Sequence, residues 1–365
     1  MIIREEKIIN KQLKKKILFI CGTLNTTTMM HQISTYLSEH ECYFTHMYAD
    51  GIINFLAKRD LLNFVPLSGK VKQTTTNYFK EHNLKIDYYG KANQYDLVVT
   101  CTDLIIPKNI KQTKIVHVQE GMTDPEDLRY YLVKYLKFPR FIASTSTMGM
   151  SEDFDIFCVA SEGYKELFIN KGINPNKIKV TGIPNYDNCE RYYTNNFQHK
   201  HYVLAATSDL RETYKYENRK EFIKQAKEIA NGRKLIFKLH PNEKVDRATK
   251  EINKYAPDAI VFSKGNVHEM IANCDVLITR YSTVVYTGLA LKKEVHSDAD
   301  IMLLKKLCPL QNKGTSSYNI ADECMNILRV NRKREKNQLF KFEPLIPIKI
   351  AVSKYLQYYK SKVSA

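Results

Sequence analysis

The strongest constraint in this sequence is a recurring order of residue types. An acidic residue comes first, four or five apolar residues follow, and the run stops at polar residues. YDLVVTCTD (95–103), FDIFCVASE (154–162) and CDVLITRYS (274–282) all read this way. Runs that short and that uniformly apolar suit strands buried on both faces, and amphipathic stretches of helical spacing separate them. Strands alternating with helices call for parallel pairing and right-handed crossovers. The expected fold class is therefore α/β, with doubly wound sheets.

The alternation falls into two series. The first runs through KILFICG (16–22), a helical stretch near 28–38, CYFTHMYA, YDLVVTC and KIVHVQEG (114–121). It continues with the helix DLRYYLVKYL (127–136), the strand FDIFCVA, the helix SEGYKELFINKG stopped by Gly172, and IKVTGIP (178–184). The second series holds YVLAATSD (202–209), a helix near 216–230, KLIFKLHP (234–241), DAIVFS (258–263) and CDVLITRYS with the helix after it. Between them NYDNCERYYTNNFQHKH (185–201) is polar, aromatic and without period, as a linker is. The predicted domains are 1–190 and 191–335, with a helical segment 336–365 returning to the first.

Composition narrows the function classes. With 365 residues, 44% hydrophobic and 26% charged, the chain can bury two cores. No run approaches the roughly 20 apolar residues of a membrane span. The start, MIIREEKIINKQLKKKILFICG, reads as a first strand in place of a signal peptide. A cytoplasmic protein is expected. Its eight scattered cysteines, with no CxxC pair, predict neither a disulfide framework nor a zinc site. The net charge of +17 is spread along the chain, so nucleic acid is not an expected partner. Peripheral contact with the inner face of a membrane, attraction of phosphorylated substrates, and a plain solvated Lys-rich surface all fit the charge.

In open parallel sheets ligands bind beyond the carboxyl ends of the strands, so the polar exits carry the functional information. No GxGxxG follows a strand and no GxxxxGK[ST] occurs, which argues against dinucleotide and P-loop sites. KLIFKLHPNEK instead places His240 where a buried strand ends, followed by Pro241. An imidazole there either sits in an exposed turn or donates to phosphate and serves as general acid. Ser282 and Thr283, beside Arg280 and Tyr281, lie between a strand and a helix, where a hydroxyl either caps the helix or joins its N–H groups in holding an anion.

The first half supplies carboxylates. Glu120 leaves the strand IVHVQ ahead of Gly121, which permits a sharp turn and close approach. Asp103 leaves its neighbour. An acceptor hydroxyl needs a base, and Glu120 is the first candidate, Asp103 the second. His117, inside its strand, reads as a core residue. Thr23 and Asn25 follow the first strand and Asn185 follows TGIP, all suited to orienting a sugar or acceptor. Ser208 and Arg211 follow the first strand of the second half and suit a nucleotide phosphate.

These segments resemble those of GT-B-type nucleotide-sugar enzymes, two Rossmann-like domains facing a cleft. CTD, VHVQEGM, VASEGYKELFINKGINPNKIKVTGIP, KLHPN and CDVLITRYSTVVYTGLALKKEV fall in the same order as in UDP-N-acetylglucosamine 2-epimerases. Where those carry Ser-Gly-Gly this chain has Ser282-Thr283-Val284, and Gln119-Glu120-Gly121-Met122 replaces Glu-Ala-Gly-Leu-Arg. The stretch TSTMGMSEDFD has no counterpart. The combination of an acidic-Gly motif, His-Pro and Ser-Thr is similar to bacterial sialyltransferases, capsule Kdo transferases and CDP-glycerol polymer transferases. That resemblance implies Glu120 as base, His240 as phosphate ligand or acid, and Ser282 with Thr283 as phosphate clamp. It implies a metal-independent glycosyltransferase of surface polysaccharide or glycolipid assembly. The donor would be CMP-, CDP- or UDP-linked, the acceptor a glycan or glycolipid, and no cofactor or metal would take part. A nucleotide-sugar 2-epimerase and a non-catalytic sugar-nucleotide-binding protein are the rival readings.

Overall fold

The computed structural model describes residues 14–59, 67, 69–212 and 216–329, and divides into two compact units. The first comprises Met1–Cys158, Phe168–Lys179 and Ser317–Ala365; the second comprises Val159–Leu167 and Val180–Ser316.

The first unit is built on six strands: β1 (Lys16–Cys21), β2 (Glu41–His46), β3 (Leu97–Thr100), β4 (Lys114–Val118), β5 (Ile156–Val159) and β6 (Ile178–Val180). Their spatial order is β2-β1-β3-β4-β5-β6. From β2 to β5 the pairing is parallel, in a register that sets Ile20 beside Thr100 and Thr100 beside His117. Leu18, Phe19, Val98, Val99, Ile115 and Val116 are wholly excluded from solvent. Consecutive residues point to opposite faces, so both faces of the sheet are covered. The order reverses between β1 and β3, which places a crevice beyond their carboxyl ends.

The second unit has five strands: β7 (Val203–Ala206), β8 (Leu235–Lys238), β9 (Ile260–Phe262), β10 (Val276–Thr279) and β11 (Glu294–His296). They lie in the order β11-β10-β7-β8-β9, every pair parallel. Val203, Ala205 and Phe237 join a cluster with Phe222, Ile223 and Ile252, while Leu204, Ala206 and Ile236 join Met270, Ile271 and Leu277 on the other face. Here the order reverses between β7 and β10. Ala206 pairs with both Thr279 and Lys238, so β7, β8 and β10 end at one level.

Three expectations shift. The division between units falls at Val159 and Val180, earlier than residue 190. The stretch read as a linker belongs to the second unit: Cys189 is buried, and Tyr192 and Phe197 pack against the core. Aromatic side chains cover that face of the sheet without helical or strand spacing, which is why the sequence read as linker. The chain rejoins the first unit at Ser317, where Lys114 Nζ donates to the Ile327 carbonyl of the helix Ser316–Arg329 (2.8 Å). The expected helical segment 336–365 lies outside the described residues. All eight cysteines are free thiols, six of them buried.

Gly163 shows how tightly the second unit is packed: a Cβ there would stand 2.0 Å from the backbone carbonyl oxygen of Lys306. Gly163→Ala must push the two segments apart, and overpacking of this kind costs about 1–3 kcal/mol. The expected result is a lower denaturant midpoint at unchanged m value; an unmoved midpoint would show that the segments separate freely.

Candidate functional site

The polar residues of the second unit gather where β7, β8 and β10 end. His240 follows β8 by two residues and Ser282 follows β10 by three, with the exit of β7 between them. One intervening strand sets the two exits about 10 Å apart, twice the inter-strand spacing. Pro241 presets the first bend of a turn that the Glu243 N–H closes onto the His240 carbonyl (3.0 Å). His240 Nδ1 accepts from the Asn242 N–H (3.2 Å), so the neutral ring carries its proton on Nε2. Nε2 has no hydrogen-bond partner among the described residues. Asp209 lies 3.7 Å from Nδ1 and accepts from Asn242 Nδ2 (2.9 Å), bracing the turn from β7.

Ser282 and Thr283 are half-buried, and their hydroxyls have no partner among the described residues. The helix Val285–Ala290 begins beyond them, with Val284 at its cap position and no side-chain cap. Helix capping therefore does not account for either hydroxyl. Ser208, at the exit of β7, is 5% exposed, and its buried Oγ also lacks a partner. Three hydroxyls thus follow β7 and β10, where the strand order reverses, and the His240 imidazole follows the neighbouring β8. Tyr281 stands half-buried at the same exit.

A buried network fixes this edge. The Glu243 carboxylate accepts from the Thr207 hydroxyl, from the His240 backbone N–H (3.0 Å) and from Arg219 Nη2 (2.6 Å). Arg219 also binds Glu217 (2.9 Å), and Lys238, buried at the end of β8, donates to the Leu239 carbonyl (2.7 Å). Arg211 is part of this scaffold. Both terminal nitrogens bind Glu251 at 2.9 Å, and Nε faces Glu217 at 3.4 Å. The expectation that Arg211 holds phosphate gives way, because carboxylates already occupy its fork. Arg280 is likewise bridged to Asp298 (2.7 Å), while Asp300 caps the helix Ile301–Leu307.

In the first unit the carboxylates separate sharply. Asp103 is fully buried and accepts from Arg140 Nη1 (2.6 Å), the Gly149 N–H (3.0 Å), the Ser151 N–H (3.1 Å) and the Ser151 hydroxyl (2.6 Å). Burial works to raise its pKa, and the neighbouring His117 and the Arg140 guanidinium, with those hydrogen bonds, hold it below the ordinary value. A carboxylate so engaged anchors a loop. Glu120, at the next exit, is half-buried and accepts no hydrogen bond among the described residues. Burial pushes it from 4.5 up to about 7, and the nearby Asp124 carboxylate adds to the rise. A base working at neutral pH needs that value.

The remaining positions are mostly structural. Gly121 is buried at a bend of the chain made without a positive φ, and its carbonyl accepts from Gln119 Nε2 (2.8 Å). Thr23 caps the helix Leu24–Thr35, and Asn25 is exposed on its first turn. Asn185 is half-buried beside the core residue Tyr186. His117 lies in the core, stacked on Phe157 at 4.3 Å, with burial lowering its pKa and neither ring nitrogen hydrogen-bonded. Sequence reading missed Thr207, Arg219 and Glu243. Only Glu243 left a signal, three residues after His240, where it closes the turn.

Glu243→Ala strands Arg219 without its closest carboxylate and releases the His240 N–H. Breaking a buried pair costs about 3–5 kcal/mol, to be read from urea unfolding. A loss under about 0.5 kcal/mol, the range of ordinary surface changes, would show that the network is not structural. Glu120 gives the opposite sign. Its raised pKa makes a stability contribution that is complete below about 4.5 and lost as pH rises through 7. Glu120→Gln should melt higher than the parent chain at pH 8 and no higher at pH 4; equal melting at both would contradict the buried position.

The matches to known proteins fit this geometry. The profile of CDP-glycerol:poly(glycerophosphate) glycerophosphotransferases matches residues 99–297, more than half of the chain. That span takes in the exits of β4, β8 and β10. Among solved structures, an S. aureus MnaA–UDP co-structure is similar at 13% identity and TM-score 0.57, covering 89% of this chain and 100% of that chain. A UDP-N-acetylglucosamine 2-epimerase gives 14%, 0.54, 90% and 100%. The Neisseria meningitidis UDP-GlcNAc 2-epimerase bound to UDP-GlcNAc gives 13%, 0.52, 85% and 100%. These likenesses establish the GT-B-type fold. No curated protein matches the chain significantly. The chain belongs to the CDP-glycerol:poly(glycerophosphate) glycerophosphotransferase family.

Proposed function

We propose that this transferase moves a glycerophosphoryl-type group from a cytidine-diphosphate-activated donor to a hydroxyl of a glycan or polymer acceptor in cell-surface assembly. The family match carries this reading, together with the open Nε2 of His240 past β8 and the hydroxyls past β7 and β10 that lack partners among the described residues. The group transferred is a phosphate-linked polyol in place of the sugar suggested by the sequence, since the family is defined by glycerol phosphate.

In the proposed step Glu120 accepts the proton of the acceptor hydroxyl. The acceptor oxygen bonds to the phosphorus that carries glycerol, the bond from that phosphorus to the bridging oxygen breaks, and CMP leaves. His240 Nε2–H and the hydroxyls of Ser282, Thr283 and Ser208 donate to the phosphate oxygens where negative charge grows. Preorganised donors of this kind are worth a factor of roughly 10²–10³ each in rate. Asp103 holds the Arg140 and Gly149 segments in place and takes no proton. The reaction is proposed to need no metal, because Asp298 and Asp300 are engaged with Arg280 and a helix start.

Incubating the chain with CDP-glycerol and a short glycerol-phosphate primer should give CMP and a new phosphodiester by phosphorus NMR, undiminished by EDTA. Release of CDP would indicate transfer at carbon, and epimerisation of UDP-N-acetylglucosamine without acceptor would favour the epimerase reading. His240→Ala should lower kcat by about a hundredfold. The pH profile of kcat/KM should rise through about 7, where Glu120 ionises, and Glu120→Gln should abolish that limb along with most activity. A limb surviving in Glu120→Gln would assign the base elsewhere.

A further inference from the structure

The exit of β2 in the first unit carries polar groups that the proposed transfer step leaves unused. His46 ends the strand at 1% exposure, with neither ring nitrogen hydrogen-bonded. Burial, then the charge of Lys72, pushes its pKa down to about 4. Its ring meets that of Tyr89 edge-on at 5.3 Å. Tyr89 is held in a left-handed backbone conformation (φ 66°), its N–H donating to the Thr45 hydroxyl (2.9 Å) and its carbonyl accepting from Asn109 Nδ2 (3.0 Å). That loop presents the Tyr89 ring to two ammonium groups, Lys72 and Lys91, each 5.8 Å from its centroid. Neither ammonium has a carboxylate partner among the described residues. The acids of this loop and strand exit are engaged elsewhere. Asp87 accepts from the Lys91 and Ala92 N–H groups and from the Tyr95 hydroxyl, and Asp50 accepts from the Lys108 N–H (2.6 Å).

Lys72 occupies an unfavourable place on its own helix. It closes the first turn of Gly69–Glu81, where the macrodipole favours anions, and that turn holds no acidic residue. With Met47, Tyr48, Ala49, Asn54 and Tyr89 it lines a cavity of about 20 Å³, room for one small polar group. The Tyr48 hydroxyl donates to Asn109 Oδ1 (3.1 Å), while the Asn54 amide has no hydrogen-bond partner among the described residues. Cations and an amide donor around a small cavity, with no acid to balance them, suit a phosphate oxygen. Building on the transfer reading above, we propose that Lys72, Lys91 and Asn54 hold a phosphodiester of the polymeric acceptor. The exits of β2 and β4 are three inter-strand spacings apart, about 14 Å. They lie at one level, since Thr45 pairs with Ile20, Ile20 with Thr100 and Thr100 with His117. An extended chain covers about 3.5 Å in three bonds, so a six-bond glycerol-phosphate repeat covers about 7 Å. A terminal hydroxyl at Glu120 thus sets the second phosphate of the acceptor at Lys72.

Titration calorimetry of the full chain with synthetic glycerol phosphates bearing one, two and four phosphates, with no donor present, tests it. Affinity should rise about tenfold or more from one phosphate to two, and little from two to four. Lys72→Gln should remove that step, Lys91→Gln should weaken it about threefold, and Lys72→Arg should keep it. Lys80→Gln makes the same charge change in the last turn of the helix and should leave the step in place. Melting temperatures should stay near that of the parent chain, because no carboxylate loses a partner. In the transfer assay the same step should appear in KM for the acceptor. Equal affinity for one and two phosphates, or a step that survives Lys72→Gln, overturns the proposal. So does an affinity that climbs evenly with each added phosphate, as attraction to net charge alone would give. A length step without CMP release from CDP-glycerol would sink the transfer reading and leave the phosphate site standing; CMP release without a length step sinks the site alone.

Discussion

Six buried or half-buried charges brace the exits of β7 and β8 in the second unit. Glu217, Glu243 and Glu251 stand against Arg211, Arg219 and Lys238, three negative groups against three positive. Burying charge is unfavourable unless every group finds partners, and replacing such a cluster with apolar residues often stabilises a fold. What the cluster gives is geometry. Glu243 grips the His240 N–H, the Thr207 hydroxyl and Arg219 at once, so the turn after β8 cannot drift from the end of β7. Nε2 of His240 and the hydroxyls of Ser208, Ser282 and Thr283 are left without a partner among the described residues.

Two carboxylates in the first unit reach opposite states by the same physics. Asp103 and Glu120 each follow the paired residues Thr100 and His117 by three positions, at the exits of adjacent strands. Asp103 is surrounded by donors and a guanidinium, which outweigh burial and keep it ionised. Glu120 meets burial with no donor, so its carboxylate is poorly stabilised and its proton affinity rises. Groups pushed apart in this way are suited to different tasks: Asp103 positions a loop, and Glu120 titrates near neutral pH. Gly149 and Ser151, which bind Asp103, come from the stretch TSTMGMSEDFD. That stretch thereby has a structural reason to be present.

The fold was legible because buried parallel strands leave a signature that few other arrangements produce. Both reversal points then follow from the order in which the strands are threaded. The exits themselves were legible, so His240, Ser282 and Glu120 lie where the sequence reading set them, just past β8, β10 and β4. Arg211 was misread because a guanidinium after a strand looks the same in sequence whether it meets phosphate or Glu251, which lies 40 residues further on. Arg219 and Thr207 were invisible for a related reason: their roles exist only once β7 and β8 lie side by side. The boundary was misplaced because 185–201 packs through aromatic contacts that have no period.

The central claim is that His240 and Ser282, on strands one apart, hold a single diphosphate between them. A crystal structure with a non-hydrolysable CDP-glycerol analogue measures this directly. The account predicts phosphate oxygens within hydrogen-bonding distance of His240 Nε2 and of the Ser282 or Thr283 hydroxyl at the same time. Density for the diphosphate away from both residues would contradict it.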